Sequence, residues 1–244
     1  MERALVREIT FLPNGVEGLL VRSGGRNLLL RLVMGRRISF KMEGEPPSGQ
    51  IRDPCVMCDG SSCLKGKPDC LVPHVVYLVL FGRLAKVGVT RAARFERRMR
   101  EQGARFAARI SEQPDGLRAR RVEKEMAAKE GLRGGIRFEE KVGSLWDLRD
   151  IKEAGKIAGS LSLPGKPELE DLDYLYQNPA LSDMPRPLVM SGESVKGRIV
   201  DTRGEALYVK HRDNLYAFDL RRTVGRSILL GGTRIDAQLT IENF

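Results

Sequence analysis

No run of apolar residues in this chain approaches the ~18–20 that a helix needs to cross a bilayer. The first ten residues, MERALVREIT, are charged throughout, so they do not read as a secretory signal. Both absences predict a cytoplasmic protein with no membrane partner. Aromatic residues make up only 6% of the chain, which argues against a surface that reads nucleic acid by stacking bases on exposed rings. Cysteine is missing everywhere except residues 55–70. In a reducing compartment, cysteines gathered in that way favour a metal over disulfides. There is no internal repeat and no low-complexity tract.

What is present suits a folded, basic protein. A length of 244 residues fits two modest domains, or one with appendages, and 41% hydrophobic residues can form a core. Lys and Arg exceed Asp and Glu by 42 to 32, for a net charge of +10. That excess favours polyanionic partners such as RNA or DNA, although solubility alone is also served by it.

Patterning along the chain predicts an α+β protein. Residues 1–50 read as a β-meander, with segments ALVREITFL, VEGLLVR, NLLLRLV and RISFKM split by Pro13-Asn14-Gly15, Ser23-Gly24-Gly25 and Met34-Gly35. Val75–Phe81 is a continuous apolar run suited to a buried strand, and Leu84–Val89 follows Gly82 as a second. Ala92, Phe95 and Met99 share one face of a helix that Gly103 ends or interrupts. Ala119, Val122, Met126 and Ala127 share one face of the next, which Gly131 ends. Residues 144–187 read as a linker or wrapping segment with a short helix at 146–156. Residues 188–244, with VKGRIV, EALYVK, LYAFDL, RSILL and AQLTI, suggest a separate small β-barrel.

The cysteines are spaced Cys55-x2-Cys58-x4-Cys63-x6-Cys70. A C-x2-C pair on a turn with two further thiolates nearby can close a tetrahedral zinc site, so residues 51–74 are expected to be a structural zinc segment. An iron–sulfur cluster also takes four thiolates, and chance clustering of reduced thiols is the plainest alternative. His74 lies just downstream, but four cysteines already suffice.

The stretch HVVYLVLFGRLAKVGVTRAARFERRMREQGA, residues 74–104, resembles the GIY-YIG endonuclease superfamily. That family has Gly-Ile-Tyr in one strand, Tyr-Ile-Gly in the next, an arginine on a following helix and a glutamate on a later one. Val75-Val76-Tyr77 and Lys86-Val87-Gly88 stand at the two tripeptides. Phe95-Glu96-Arg97-Arg98-Met99 is similar to the arginine stretch and Val122-Glu123 to the glutamate pair. Pro73–Leu78, Lys86–Arg91 and Gln102-Gly103-Ala104 look closest to a microbial branch that has a cysteine cluster upstream. The likeness spans roughly residues 54–130.

The resemblance implies a GIY-YIG-like domain of a hairpin and two helices over residues 75–143. It implies a catalytic set of Tyr77, Lys86, Arg98 and Glu123. Glu123 would hold Mg²⁺ or Mn²⁺, Arg98 would clamp phosphate, and Tyr77 would orient or deprotonate water. Two departures put cutting in doubt: Lys86 replaces a tyrosine and Val75 a glycine. Lysine binds phosphate well but does not replace a phenol in a water network.

Arginines crowd the same region. Arg91, Arg94, Arg97, Arg98, Arg100, Arg105 and Arg109 precede Arg118, Arg120, Arg121 and Lys124. Those expected to contact nucleic-acid backbone are Arg91, Arg94, Arg97, Arg100, Arg105, Arg120 and Arg121. A solvated face laced with intrahelical ion pairs is the bland alternative. The overall expectation is a nucleic-acid-binding protein, of RNA and ribosome-associated in one form, with a degenerate nuclease-like domain. The alternative is an active metal-dependent endonuclease, and a protein–protein adaptor is a third reading.

Overall fold

The structure is a computed structural model that describes residues 2–11, 17–45, 68–147, 150–164, 167–231 and 237–238. The described residues form fourteen strands in two sheets and four α-helices. They separate into two compact units.

One unit gathers residues 1–50, 100–103 and 173–244. Its N-terminal strands are β1 (Glu2–Phe11), β2 (Glu17–Ser23), β3 (Arg26–Leu32) and β4 (Arg37–Glu43). Ile38, Phe40 and Met42 alternate inward along β4, as the sequence pattern predicts. The second unit, residues 51–99 and 104–172, holds β5 (His74–Phe81), β6 (Leu84–Arg91), β7 (Phe106–Gln113) and β8 (Glu170–Asp171). It also holds α2 (Gly116–Lys129), α3 (Phe138–Ser144) and α4 (Ile151–Gly159), while α1 (Phe95–Gln102) runs from this unit into the first. The chain then returns to the first unit with β9 (Leu188–Val189), β10 (Ser194–Arg203), β11 (Ala206–His211), β12 (Asn214–Asp219), β13 (Ser227–Leu230) and β14 (Ala237–Gln238).

The expected α+β fold, with a terminal meander and a separate barrel, is overturned by the pairing. The terminal strands share one ten-stranded sheet of order β14-β3-β2-β1-β13-β4-β10-β11-β12-β9. Strand β13 sits between β1 and β4, with Ile228 opposite both Ala4 and Met42. Strand β10 continues from the other edge of β4. A meander would have paired β3 with β4. Here β3 pairs instead with β2 and β14. Ala4, Val6, Leu19, Phe40, Val195, Leu207, Phe218 and Ile228 belong to one hydrophobic cluster, so the two ends of the chain bury their apolar faces together.

The central region also departs from a hairpin with two helices. Strand β7 and helix α3 were not expected, while α4 overlaps the short helix expected at 146–156. The expected zinc segment falls largely on residues 51–67, outside the described residues. Of its four cysteines only Cys70 is described.

The first unit encloses charge that the sequence pattern does not foretell. Glu17 and Asp201 are fully buried, and Arg203 is nearly so. Arg203 donates to Asp201 Oδ2 at 3.0 Å and to Asp173 Oδ1 at 2.7 Å. Its guanidinium lies 4.6 Å from the Tyr176 ring centroid. Neither carboxylate oxygen of Glu17 has a hydrogen-bond partner, nor do Nε and Nη2 of the neighbouring Arg100. Burial, and then the Asp201 charge, push the Glu17 carboxyl well above its usual range, against the pull of Arg100 and Arg203. Burial likewise lifts Asp201 to about 6, against Arg203.

Two outcomes follow. Residues 188–244 expressed alone lack β1 and β4 and are expected to stay unfolded by circular dichroism and amide dispersion; a cooperative β fold would restore the separate barrel. Glu17 and Asp201 hold protons in the folded state at pH values where the unfolded chain has lost them. Their stabilisation is therefore present below the ordinary carboxylate range and fades as pH rises through about 6 for Asp201. Glu17→Gln should raise the urea midpoint at pH 8 and change it little at pH 5. A lower midpoint at pH 8 would mean that ionised Glu17 is a stabilising partner of the arginines.

Candidate functional site

Strand β5 is central in the sheet β6-β5-β7-β8, and every one of its residues is buried. Such a strand needs apolar residues on both faces, which HVVYLVLF supplies. Helix α2 packs against β5, β6 and β7. Val76, Val89 and Ala119 meet there, with Ile110, Val122 and Met126 beside them. Asp115 caps α2, accepting from the Arg118 amide at 2.7 Å.

Tyr77 lies opposite Gly88 on β6 and Arg109 on β7. Its ring covers Gly88 so closely that a Cβ there would stand 2.5 Å from the phenol oxygen. Only hydrogen fits at position 88. Phe95 on α1 meets the ring edge-on, with centroids 6.2 Å apart, and the Arg109 guanidinium stacks over Phe95 at 4.1 Å. The Arg98 Nε donates a long hydrogen bond of 3.4 Å to the Tyr77 hydroxyl. Glu123 and Arg120, on α2, act electrostatically on the same phenol. Burial raises the Tyr77 hydroxyl above its usual range, Arg98 opposes that, and Glu123 adds to it.

Of the four residues assigned from the resemblance, Arg98 touches Tyr77 through that hydrogen bond, whereas Glu123 and its partner Arg120, on α2, act on the phenol through their charges. Lys86 stands two residues along β6 from Gly88, on the same sheet face as Tyr77. Tyr77 is 1% exposed. The Glu123 side chain, 22% exposed, binds Arg120 Nη1 at 2.8 Å. Among the described residues no three His, Cys, Asp or Glu side chains gather as a metal site, and Glu123 has an arginine at its carboxylate.

The seven arginines assigned to nucleic acid are less uniform than their spacing suggests. Arg97 and Arg121 are exposed, and Arg94 is half-buried. Arg91 pairs with Asp69 at 2.8 Å. Arg105 lies over Phe106 at 5.0 Å and 3.6 Å from Asp171. Arg120 holds Glu123, and Arg100 falls in the first unit. Arg109 belongs to strand β7 rather than to a helix. Cys55, Cys58 and Cys63 lie outside the described residues.

A family model described as a protein of unknown function, DUF2797, matches residues 57–153. That span contains Tyr77, Lys86, Arg98, Arg120 and Glu123. Neither a curated protein nor a solved structure matches the chain. No helix among the described residues is long and apolar enough to cross a membrane.

The Tyr77–Gly88 approach is open to test. Gly88→Ala should cost about 1–3 kcal/mol in urea unfolding, because the added methyl drives into the phenol. Combining it with Tyr77→Leu, which clears the space, should recover part of that loss. Equal losses in both backgrounds would show that the ring does not press on position 88.

Proposed function

We propose that the chain binds RNA through the basic face around Tyr77, as a GIY-YIG-like unit that holds phosphate without cutting it. The observation that carries this reading is the Arg120–Glu123 pair at 2.8 Å beside an enclosed Tyr77. A nuclease of the resembled kind needs the carboxylate for a cation and the phenol for water. Here the carboxylate is bound to a guanidinium and the phenol is sealed by Gly88, Phe95 and Arg98. Two arginines against one glutamate leave the cluster positive, and α2 as a whole carries five basic residues against two acidic ones. Phosphate is the ligand such a balance attracts. Lys86 suits phosphate as well. With few aromatics, recognition by backbone shape fits RNA helices such as those of the ribosome. The same reading places the protein in the cytoplasm, with zinc held by Cys55, Cys58, Cys63 and Cys70 in support of the fold.

A second reading, a Mg²⁺- or Mn²⁺-dependent endonuclease, is favoured by one observation: Arg98 donates to the Tyr77 hydroxyl and the Glu123 charge acts on the same phenol. Displacement of Arg120 by a cation would then free the acid.

One experiment separates the two. Structured RNA and duplex DNA are titrated with the full chain over a range of salt, with and without Mn²⁺. RNA should bind with affinity falling steeply with salt and remain intact. Arg97→Ala and Arg121→Ala should each lower the salt slope by about one contact. Cleavage that Glu123→Ala abolishes would establish the endonuclease instead. No affinity for either polyanion would remove both readings and leave a protein–protein adaptor.

A further inference from the structure

The ten-stranded sheet sets like charges side by side on its outward face. Where β4 pairs with β10, Arg37 stands opposite Arg198, Ser39 opposite Lys196 and Lys41 opposite Ser194. Where β10 pairs with β11, Arg198 stands opposite Lys210. Residues opposite one another in an antiparallel ladder share a face. Ile38, Phe40, Val195, Ile199 and Val209, which alternate with them along the strands, point into the core. Arg37, Lys41, Lys196, Arg198 and Lys210 are all exposed. Arg37, Arg198 and Lys210 thus form a row across three adjacent strands, on backbones about 4.8 Å apart. Lys196 lies one outward position further along β10.

No acid interrupts this row. The outward partners on β4 and β10 are basic residues and serines. The acids that flank them in sequence are engaged elsewhere: Glu43 pairs with Arg3 at 2.7 Å and Glu193 with Arg226 at 2.8 Å. The hydrogen bond from Arg226 holds Glu193 below its usual range, and Lys41, at the margin of the row, adds to that pull. Asp213 sits in the turn between β11 and β12. Arg198 Nη1 donates to the Gly35 carbonyl at 2.9 Å, which fixes the guanidinium without cancelling its charge. The turn before β4 is itself tied to β10. The Gly35 amide donates to the Ile199 carbonyl, and the Ile199 amide to the Arg36 carbonyl, both at 2.8 Å.

We infer that this outward face of β4, β10 and β11 is a second surface for a phosphate backbone, with Arg37, Arg198 and Lys210 contacting RNA. Like charges set directly opposite one another weaken a sheet. Charge used for solubility alone can intersperse both signs. Here the opposition occurs twice, between Arg37 and Arg198 and again between Arg198 and Lys210. A phosphate chain laid along the row replaces that repulsion by attraction, and the two guanidiniums can each bind phosphate through two hydrogen bonds. A membrane surface is met less well, because the paired outward positions of β4 and β10 hold no apolar side chain to enter the lipid. The inference rests on the RNA reading above and adds to it residues of the first unit, which that reading does not use.

The test titrates an RNA hairpin with the full chain over a range of salt. Arg37→Gln, Arg198→Gln and Lys210→Gln together should weaken binding and lower the log–log salt slope by about two to three, near one for each lost phosphate contact. The loss should add to that of Arg97→Ala and Arg121→Ala. Lys210→Glu should lower RNA affinity while raising the urea midpoint, since it places an acid opposite Arg198; a residue that served only the fold would not separate the two. RNA binding with unchanged slope and affinity in the triple variant and in Lys210→Glu overturns the inference and leaves the RNA reading standing. A wild-type chain that binds no RNA overturns both. Vesicles of phosphatidylcholine and phosphatidylserine form the control. If the triple variant loses vesicle binding while RNA binding is untouched, the face belongs to a membrane and the inference fails.

Discussion

The hydrogen-bond ladders on the two edges of β5 set the position of Tyr77 and Gly88, around which the functional reading is built. On one side His74 to Phe81 pair with Arg91 to Leu84. On the other they pair with β7, with one irregularity between Val76 and Tyr77. A slip of one residue would exchange the two faces of the strand. It would also set Tyr77 opposite Val87 or Val89, where a branched side chain replaces the hydrogen of Gly88. The ring would then have no place to lie. The same register sets His74 at the strand's beginning, between Arg91 and Gln113, with its ring towards α2.

On the proposed reading, enclosure makes the Tyr77 cluster electrostatic rather than catalytic in character. The phenol is held neutral by burial, and a neutral phenol beside a guanidinium serves as an acceptor that fixes Arg98. The glutamate does the same for Arg120. On that reading, acid and phenol together hold two guanidiniums in place, which would lower the entropy cost of presenting them to a phosphate. A nuclease puts the same residue types to the opposite use, with positive groups positioning acid and phenol for chemistry.

Local features were legible in the sequence where they depend on near neighbours. The turn glycines Gly24, Gly25, Gly35 and Gly82, the alternation along β4, the apolar run of β5 and the helical face of Ala119, Val122 and Met126 all reappear at their expected places. Strand β7 escaped because FAARISEQ carries two charges and follows an arginine-rich helix, so its residues read as a continuation of that helix. The insertion of β13 between β1 and β4 escaped for another reason. It joins residues some two hundred positions apart, and strand patterning fixes a buried face but not the neighbour that covers it. The charges of Glu17, Asp201 and Arg203 were invisible as core residues because composition assigns such side chains to the surface. Only the folded sheet shows that they bury one another.

Counting arginines also overstates the surface available to a polyanion. Arg91 is engaged by Asp69, Arg105 by Phe106 and Asp171, Arg109 by Phe95, and Arg120 by Glu123. These guanidiniums brace the β5 sheet and its helices as much as they could serve a ligand. Losing one would disturb packing as well as charge, since an arginine stem covers apolar surface. The exposed basic side chains on the two helices are Arg97 on α1 and Arg118, Arg121, Lys124 and Lys129 on α2, and Arg109 on β7 is exposed while it lies over Phe95. A phosphate chain would meet these first and reach the half-buried Arg98 and Arg120 only at closer approach. Net charge therefore argues for steering towards a polyanion, whereas on the proposed reading affinity for one would depend on a short row of exposed side chains.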